Sequence, residues 1–470
     1  MAEIKAVVFL GMNPWDHQQI NDTVRLLARA MAGVDRLYVD PPLGLRAAVA
    51  EPAYFWRSLR WQREVSGGIE RLSPPFGFLP VRGGLRGLAN ALCARGLAEA
   101  LTSRYGPGWR RCTLFYVSSW SYTQAGLLAN LRPARLFFHI LDDSFAFPQI
   151  ADDPATLAVN KSFFDYLMKV STVVAAVSAE LADKYQRMYG RKIFVLRNGV
   201  EIEHFGRTAE EAPARRREGG RDAPAQRAGA GKRTGYAAAG TAGAAGAAAG
   251  APGELSPAGP GKSAGAAPEE AAAEPGEISP EPPVIPPELR GIPRPLLMYA
   301  GSINSWLDVA LLKELAGLRP QYSLVLIGHY YAGTVDPQQW AELLARPNVR
   351  WLSSRPYAAL PAYLQAAAAL LLPRTAAEHS LKSDPLKLYE YLATGRPVVS
   401  TALPAVTGFR DCVFVGTTAP ELAGLIDRAI REHSAEKARR QKEAVREHSW
   451  AARAQEILRL IQNVHREGDG

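Results

Sequence analysis

The residues best suited to chemistry are Lys387 and Glu390, three positions apart in the segment 383–400. Apolar residues recur there with helical spacing, and a buried strand follows at Pro397. A lysine in the first turn of a helix opposes the helix dipole, which makes sense if an anion binds at that end. A carboxylate one turn later can hold a sugar hydroxyl, so phosphate and ribose together indicate a nucleotide. The alternative interpretation is a solvated polar face of an ordinary helix.

The same segment carries signals for where this helix begins and ends. Asp384 is predicted as the N-cap and Pro385 as the first helical residue. Gly395 is predicted to end the helix, because glycine adopts the left-handed conformation that terminates many helices. The polar stripe therefore belongs to a short helix that leads directly into a strand.

Length and composition set the outer limits of the interpretation. The chain has 470 residues, 47% of them hydrophobic, and a net charge of +9. This predicts two or three domains with large cores and favours anionic partners such as nucleotides or phospholipid headgroups. Cys93, Cys112 and Cys412 lie far apart, which indicates neither a disulfide framework nor a zinc site. The N-terminus reads as a strand rather than a signal peptide, and no apolar run could span a membrane, so we expect a cytoplasmic protein.

Strand and helix signals alternate over most of the chain, with one break, and strands are predicted among others at 113–118, 296–300, 323–327, 349–352 and 369–372. Continuous apolar runs are typical of parallel strands buried on both faces, so the pattern predicts two α/β domains. We predict an N-terminal domain at 1–206, a second domain at 291–433, and a helical tail at 434–470 that packs back toward the first domain. Residues 207–290 are rich in Ala, Gly and Pro and are predicted to be a disordered linker. The expected site is the cleft between the domains, at the carboxyl ends of the strands.

A series of motifs runs through both domains at positions 198–205, 299–302, 348–364, 385–399 and 448–450. In order and spacing this set resembles the GT-B glycosyltransferases, close to the family 4-like group that uses nucleotide sugars. The resemblance covers nearly everything except the linker. It implies two Rossmann-like domains facing a cleft and a nucleoside diphosphate sugar, most simply a UDP-sugar, as donor.

The resemblance also implies roles for individual residues of the second domain. Lys387 would contact the diphosphate and Glu390 the ribose hydroxyls, whereas backbone amides at Gly301 and Ser302 would approach the phosphates. The loop that contains Tyr357 would lie beside the nucleotide base. For Gly301 the alternative is an ordinary turn. The nucleotide-binding residues predicted in this way are Gly301, Ser302, Tyr357, Leu386, Lys387 and Glu390.

Two positions depart from the family pattern. Many retaining enzymes carry a second glutamate eight residues before the ribose-binding one, and Lys382 stands there in this chain. The Arg/Lys pair that often follows the first donor-domain strand is replaced by residues 304–306. Both departures resemble a subgroup of bacterial envelope polysaccharide transferases, which includes membrane-associated glucuronosyltransferases and teichuronic acid enzymes. The stereochemical outcome therefore stays open.

In that subgroup an aspartate of the first domain acts as general base, and the candidates here are Asp142 and Asp143. They follow an apolar strand, at the edge where ligands bind in open α/β sheets. A carboxylate there can deprotonate an acceptor hydroxyl; the alternative is a helix N-cap or a loop hydrogen bond. His17, after the first strand, is a further candidate base that Asp16 would orient. No metal motif of the DxD type is present, so we expect Lys387 and helix dipoles to stabilise the leaving diphosphate.

The region 43–105 mixes arginine with Trp and Phe, which is typical of contact with an anionic membrane surface. Packing of these aromatics inside the first domain is an equal alternative. We therefore predict a hexosyltransferase that moves a sugar from a UDP-sugar to a cell-envelope polysaccharide or lipid-linked acceptor, at the inner face of the cytoplasmic membrane. Nucleic acid is not an expected partner. Two alternatives remain: a GT-B sugar-nucleotide epimerase, which needs no acceptor, and a non-catalytic nucleotide-sugar-binding scaffold.

Overall fold

The computed structural model describes residues 3–15, 22–42, 56, 59–75, 84–121, 124–206 and 285–468. Asp16, His17 and most of the predicted linker lie outside these residues. The described residues on both sides of the linker belong to one compact unit.

The first sheet has eight strands in the order β3-β4-β2-β1-β5-β6-β7-β8. All neighbours are parallel except β3 and β4, which form an antiparallel pair at one edge. Strands β1, β5 and β6 are buried along their whole length, as their continuous apolar sequences predict. The strands are β1 (Ala6–Leu10), β2 (Asp35–Val39), β3 (Gln62–Ser66), β4 (Ile69–Ser73), β5 (Thr113–Ser118), β6 (Leu136–Ile140), β7 (Val173–Ala176) and β8 (Phe194–Val195).

Helices cover this sheet and connect its strands. The antiparallel pair and the long helix that follows it fall within 43–105, where the composition had suggested only short amphipathic segments. The helices of this part are α1 (Thr23–Ala30), α2 (Gly84–Tyr105), α3 (Trp109–Cys112), α4 (Ala125–Leu131), α5 (Pro148–Ala151), α6 (Pro154–Val170), α7 (Ala179–Tyr189) and α8 (Ile202–Gly206).

The second sheet has six strands, all parallel, in the order β11-β10-β9-β12-β13-β14. Its strands are β9 (Leu296–Ala300), β10 (Ser323–Ile327), β11 (Val349–Leu352), β12 (Ala369–Leu372), β13 (Val398–Thr401) and β14 (Val413–Gly416). The helices that follow β9 are α9 (Val309–Leu318), α10 (Pro337–Leu344), α11 (Leu360–Gln365), α12 (Glu378–Leu381), α13 (Leu386–Thr394), α14 (Ala419–Arg431), α15 (Ala435–Ala444) and α16 (Trp450–Gly468).

Helix α13 contains the polar stripe and differs from its prediction at the N-terminal end. It begins at Leu386, with Pro385 in the N-cap position and no side-chain cap. The predicted cap, Asp384, is instead buried and accepts hydrogen bonds from the Asn198 backbone N–H and the Tyr389 hydroxyl, both at 2.7 Å. The prediction was wrong because sequence spacing cannot show that a carboxylate serves a contact with a distant segment. Gly395 ends the helix in the left-handed conformation, as predicted (φ 73°).

The last helix, α16, crosses back to the first sheet. Trp450, Ala454, Ile457 and Ile461 are buried in the same hydrophobic cluster as residues of β1 and α1. Burying four apolar side chains there ties the end of the chain to its beginning. Among the described residues, no helix is both long enough and apolar enough to cross a membrane.

Candidate functional site

The carboxyl edges of the two sheets meet along the segment between β12 and α13. The Ser178 hydroxyl, just after β7, donates to the Lys382 carbonyl at 2.6 Å. The Asn198 side-chain amide donates to the Asp384 carbonyl, also at 2.6 Å. Ligands bind at the carboxyl edges of open parallel sheets, so this seam is where the candidate side chains should be sought.

Lys387 lies across the end of β9. Its side chain passes so close to Gly301 that a Cβ atom added there would lie 1.6 Å from Lys387 Cε and 2.4 Å from Nζ. The φ of Gly301 is 159°, a positive value that other residues rarely adopt, so both the available space and the backbone conformation favour glycine here. Lys387 Nζ also lies 5.8 Å from the centre of the Tyr299 ring. Because Gly301 has no side chain, Lys387 has room to extend into the site.

The two backbone amides predicted to approach the phosphates, at Gly301 and Ser302, have different surroundings. The Gly301 N–H donates to the Ile327 carbonyl at 2.7 Å, so the sheet uses it and it is not free for a phosphate. The next amide, at Ser302, donates to no acceptor among the described residues. Sequence spacing cannot distinguish these two amides, because the last hydrogen bond of a strand depends on where its neighbour ends.

Arg374 is the second cation at this edge, two residues beyond β12. Its guanidinium donates from Nε to the Ser380 hydroxyl at 3.1 Å and from an Nη atom to the Ser383 hydroxyl at 2.9 Å. It also lies over the Trp306 ring, 4.9 Å from the ring centre. The residue is only 6% exposed, yet its side-chain partners in the described chain are all neutral.

Burial strongly shifts the pKa values of Lys387 and Glu390, the two charged residues of α13 that face the site. The pKa of Lys387 is lowered to about 8, first by burial and then by the Arg374 charge, while Glu390 and Asp142 act in the opposite direction. The pKa of Glu390 is raised to about 7 by burial, which outweighs the attraction of Lys387, and Glu201 raises it further. Among the described residues, neither Lys387 nor Glu390 forms a hydrogen bond or an ion pair. Both side chains are therefore free to engage a ligand.

Asp142 faces this edge from the first sheet. The Trp120 indole N–H, just after the neighbouring strand β5, donates to Asp142 Oδ2 at 2.9 Å. Part of the Asp142 side chain is solvent-exposed, yet enough protein surrounds its carboxyl that burial raises its pKa to about 6. The Trp120 hydrogen bond and the charge of Arg374 oppose this shift. A carboxylate in this state is ionised at neutral pH and still basic enough to accept a proton.

Asp143 has a different environment from its neighbour. It is buried and accepts hydrogen bonds from Lys184 Nζ at 2.5 Å and from the Tyr185 hydroxyl at 2.9 Å. Lys184 also pairs with Glu378 across the seam, and Lys382 pairs with the same carboxylate from within the second domain. These contacts anchor Asp143 to α7 of the first domain, and its catalytic role beside Asp142 stays a prediction.

The remaining predicted site residues have mixed positions. The Tyr357 ring stacks on His204, with 4.5 Å between the ring centres and 27° between the ring planes. Leu386 packs against the hydrophobic cluster of the first sheet. Ser302 receives the Tyr299 hydroxyl on its carbonyl at 2.8 Å. His17 lies outside the described residues.

Sequence reasoning missed Arg374 and Trp120. Each stands two residues beyond a strand that the sequence predicted correctly, at the edge where the site was expected. That placement was the signal that could have found them. Trp306 was noted only as a departure from a family motif. For metals, the described residues contain no group of three or more His, Cys, Asp or Glu side chains that could hold an ion.

Comparison with known proteins agrees with this architecture. Residues 294–432 match the family model described as Glycosyl transferases group 1. A segment of 119 residues, 25% of this chain, is 31% identical to TuaH of Bacillus subtilis (strain 168), whose name assigns it provisionally as a teichuronic acid biosynthesis glycosyltransferase. The match spans 30% of the length of that protein.

Solved structures match nearly the whole chain at low sequence identity. Sucrose-phosphate synthase from Thermosynechococcus elongatus has a TM-score of 0.58 at 13% identity, over 98% of this chain and 100% of that one. HepE of Anabaena, in complex with UDP and glucose, has a TM-score of 0.57 at 15% identity, with the same coverage. The trehalose 6-phosphate synthase of Burkholderia multivorans has a TM-score of 0.60 at 12% identity, over 100% of both chains. The predicted GT-B fold is therefore confirmed, and the family match supports the prediction of a glycosyltransferase.

Proposed function

We propose that this GT-B protein is a glycosyltransferase that moves a sugar from a UDP-sugar to a cell-envelope polysaccharide or lipid-linked acceptor. The observation that carries the proposal is the path of Lys387 across Gly301, which leaves a cation without an ionic partner at the carboxyl edge of the second sheet. An unpaired, largely buried cation is unfavourable unless an anion joins it. The diphosphate of a nucleotide sugar is such an anion.

The second sheet provides the donor side. Lys387 would neutralise the leaving diphosphate, and the free amide of Ser302 would donate to one of its oxygens. Glu390, one turn further along α13, would accept from the ribose hydroxyls. The solved HepE structure holds UDP and glucose on the same fold, which supports the choice of a UDP-sugar.

The first sheet provides the acceptor side. Asp142 would take the proton of the acceptor hydroxyl as its oxygen attacks the anomeric carbon and the bond to the diphosphate breaks. Its raised pKa of about 6 suits this task, because the group is ionised at neutral pH and holds the proton better than an exposed aspartate does. The similarity to TuaH supports an envelope polysaccharide as the acceptor class.

A lipid-linked acceptor would require contact with a membrane, and α2 offers a surface for it. Leu85, Leu88 and Leu92 are 71%, 60% and 46% exposed and are spaced to share one helix face. Exposed leucines on a basic protein are typical of interfacial helices. We expect the protein to float with vesicles that contain anionic lipid, and serine substitutions at the three leucines to abolish flotation. Leu318→Ser, at an exposed leucine in the second domain, is the control; equal flotation of the triple variant would end the proposal of membrane contact.

The donor site can be tested by calorimetric titration with UDP, with GDP and ADP as comparisons. We expect selective UDP binding that is lost in Lys387→Ala and kept in Lys313→Ala, whose lysine pairs with Glu342 on the outer face of the same domain. A panel of UDP-sugars and acceptors would follow. Turnover of UDP-N-acetylglucosamine without an acceptor would instead indicate an epimerase. Nucleotide binding without turnover on any acceptor would indicate a scaffold.

A further inference from the structure

Arg374 has an environment that the fold alone does not explain. Its guanidinium is held by two serine hydroxyls and one tryptophan ring, and it is almost completely buried. Among the described residues no carboxylate lies within ion-pair distance of it. Its charge lowers the pKa of Asp142, but the Asp142 carboxylate accepts its hydrogen bond from the Trp120 indole N–H instead.

A buried charge without a partner is strongly unfavourable, so a native structure that keeps one usually has a counterion for it. The two serines and Trp306 fix the direction of the guanidinium but do not neutralise it. A rigid, preorganised guanidinium suits planar recognition of phosphate oxygens better than a flexible lysine does. The environment of Arg374 therefore points to an anionic ligand.

Trp306 supports this guanidinium from a different loop of the second domain. It lies in the loop that follows β9, whereas Arg374 follows the neighbouring strand β12. The Trp306 ring packs against the guanidinium of Arg374. Two adjacent loops at this edge of the sheet thus hold one buried cation in a fixed direction.

We propose that Arg374, oriented by Trp306, is the second cation that binds the donor diphosphate together with Lys387. The pair would match the two negative charges of the diphosphate in a nucleotide sugar. The inference rests on the proposed function, because it assigns a second residue to the same donor site.

The test compares ligands that differ only in phosphate. Affinities for uridine, UMP and UDP would be measured, by ligand-observed NMR for the weak ligands and by calorimetry for UDP. We expect Arg374→Gln to lower UDP affinity by ~10- to 100-fold, the range for removal of a charge-assisted hydrogen bond, and to leave uridine affinity unchanged. Trp306→Leu keeps the arginine but removes its support, and we expect a smaller loss with the same dependence on phosphate. Arg319→Gln, at an arginine paired with Asp427, is the matched control.

The outcomes separate this inference from the proposed function. If Lys387→Ala loses UDP while Arg374→Gln and Trp306→Leu bind it as wild type, the role of Arg374 is refuted and the donor site stands. If Arg374→Gln lowers uridine and UDP affinity equally, the residue supports the fold of the site and the inference is again refuted. If the wild-type protein binds no nucleotide, both proposals fail. Should Arg374→Gln not fold, as judged by circular dichroism, Trp306→Leu decides.

Discussion

Replacing Gly301 with alanine should weaken nucleotide binding strongly while the chain still folds. The added methyl carbon would lie 1.6 Å from Lys387 Cε, whereas non-bonded carbons need ~3.5 Å or more. The overlapping atoms are the end of a flexible side chain, so rotation of the lysine relieves the clash and the backbone can stay in place. Because φ at Gly301 is positive, alanine also strains the backbone there, which costs roughly 1–3 kcal/mol of stability.

The expected loss of affinity follows from what Lys387 gives up. A charge-assisted hydrogen bond contributes roughly 1.5–3 kcal/mol, which corresponds to about 10- to 150-fold in the dissociation constant of UDP. Calorimetry would compare Gly301→Ala, Lys387→Ala and the double variant. We expect the double variant to be no worse than Lys387→Ala, because both changes remove the same contact.

A second glycine provides the contrast. A Cβ atom on Gly328 would meet the Gly301 carbonyl oxygen at 1.9 Å, and a backbone atom cannot rotate away. Both glycines have positive φ, so we expect both alanine variants to lower the melting temperature, and Gly328→Ala to lower it clearly more than Gly301→Ala. The reasoning would be refuted if Gly301→Ala bound UDP like the wild type while Lys387→Ala did not.

Three further predictions concern charge. The affinity for UDP-glucose should fall about fourfold between pH 7 and pH 8.5, because Lys387, with a pKa of about 8, progressively loses the proton that binding requires; calorimetry at both pH values would show it, and Lys387→Ala should be flat. Asp142→Asn should lower kcat by ~10²–10⁴-fold with unchanged UDP affinity, and wild-type kcat/KM should fall below about pH 6 as the carboxylate is protonated; wild-type turnover in the variant would move the base elsewhere. Asp384→Ala should destabilise the fold by roughly 1–3 kcal/mol in urea unfolding, because it leaves the buried Tyr389 hydroxyl and the Asn198 N–H without their acceptor, and an unchanged midpoint would contradict this.

The fold was largely predictable from the sequence, because parallel strands buried on both faces have continuous apolar sequences. Strands β5, β9, β10, β11 and β12 have the predicted bounds. The antiparallel strand β3 was missed: four of its five residues are exposed, so it carries no apolar run. The motif around Lys387 identified the correct helix and edge of the sheet. Arg374 was not found, because its significance depends on Ser380, Ser383 and Trp306, and which of them surround it is decided by the fold.

Asp142 and Asp143 show most clearly where sequence reasoning ends. Adjacent in the chain and identical in type, they give the same signal at the carboxyl end of the same strand. Just after that strand, the side chains of these adjacent residues point in different directions and meet different surroundings. Asp143 meets a lysine and a tyrosine of α7 and is neutralised within the seam, whereas Asp142 meets one neutral donor and the edge that holds Lys387 and Arg374. Asp143 holds the loop in place. Asp142 is left free to titrate near neutral pH beside the cations proposed to bind the donor. Because the anchor and the proposed base are consecutive residues, a change that loosens Asp143 should also displace Asp142.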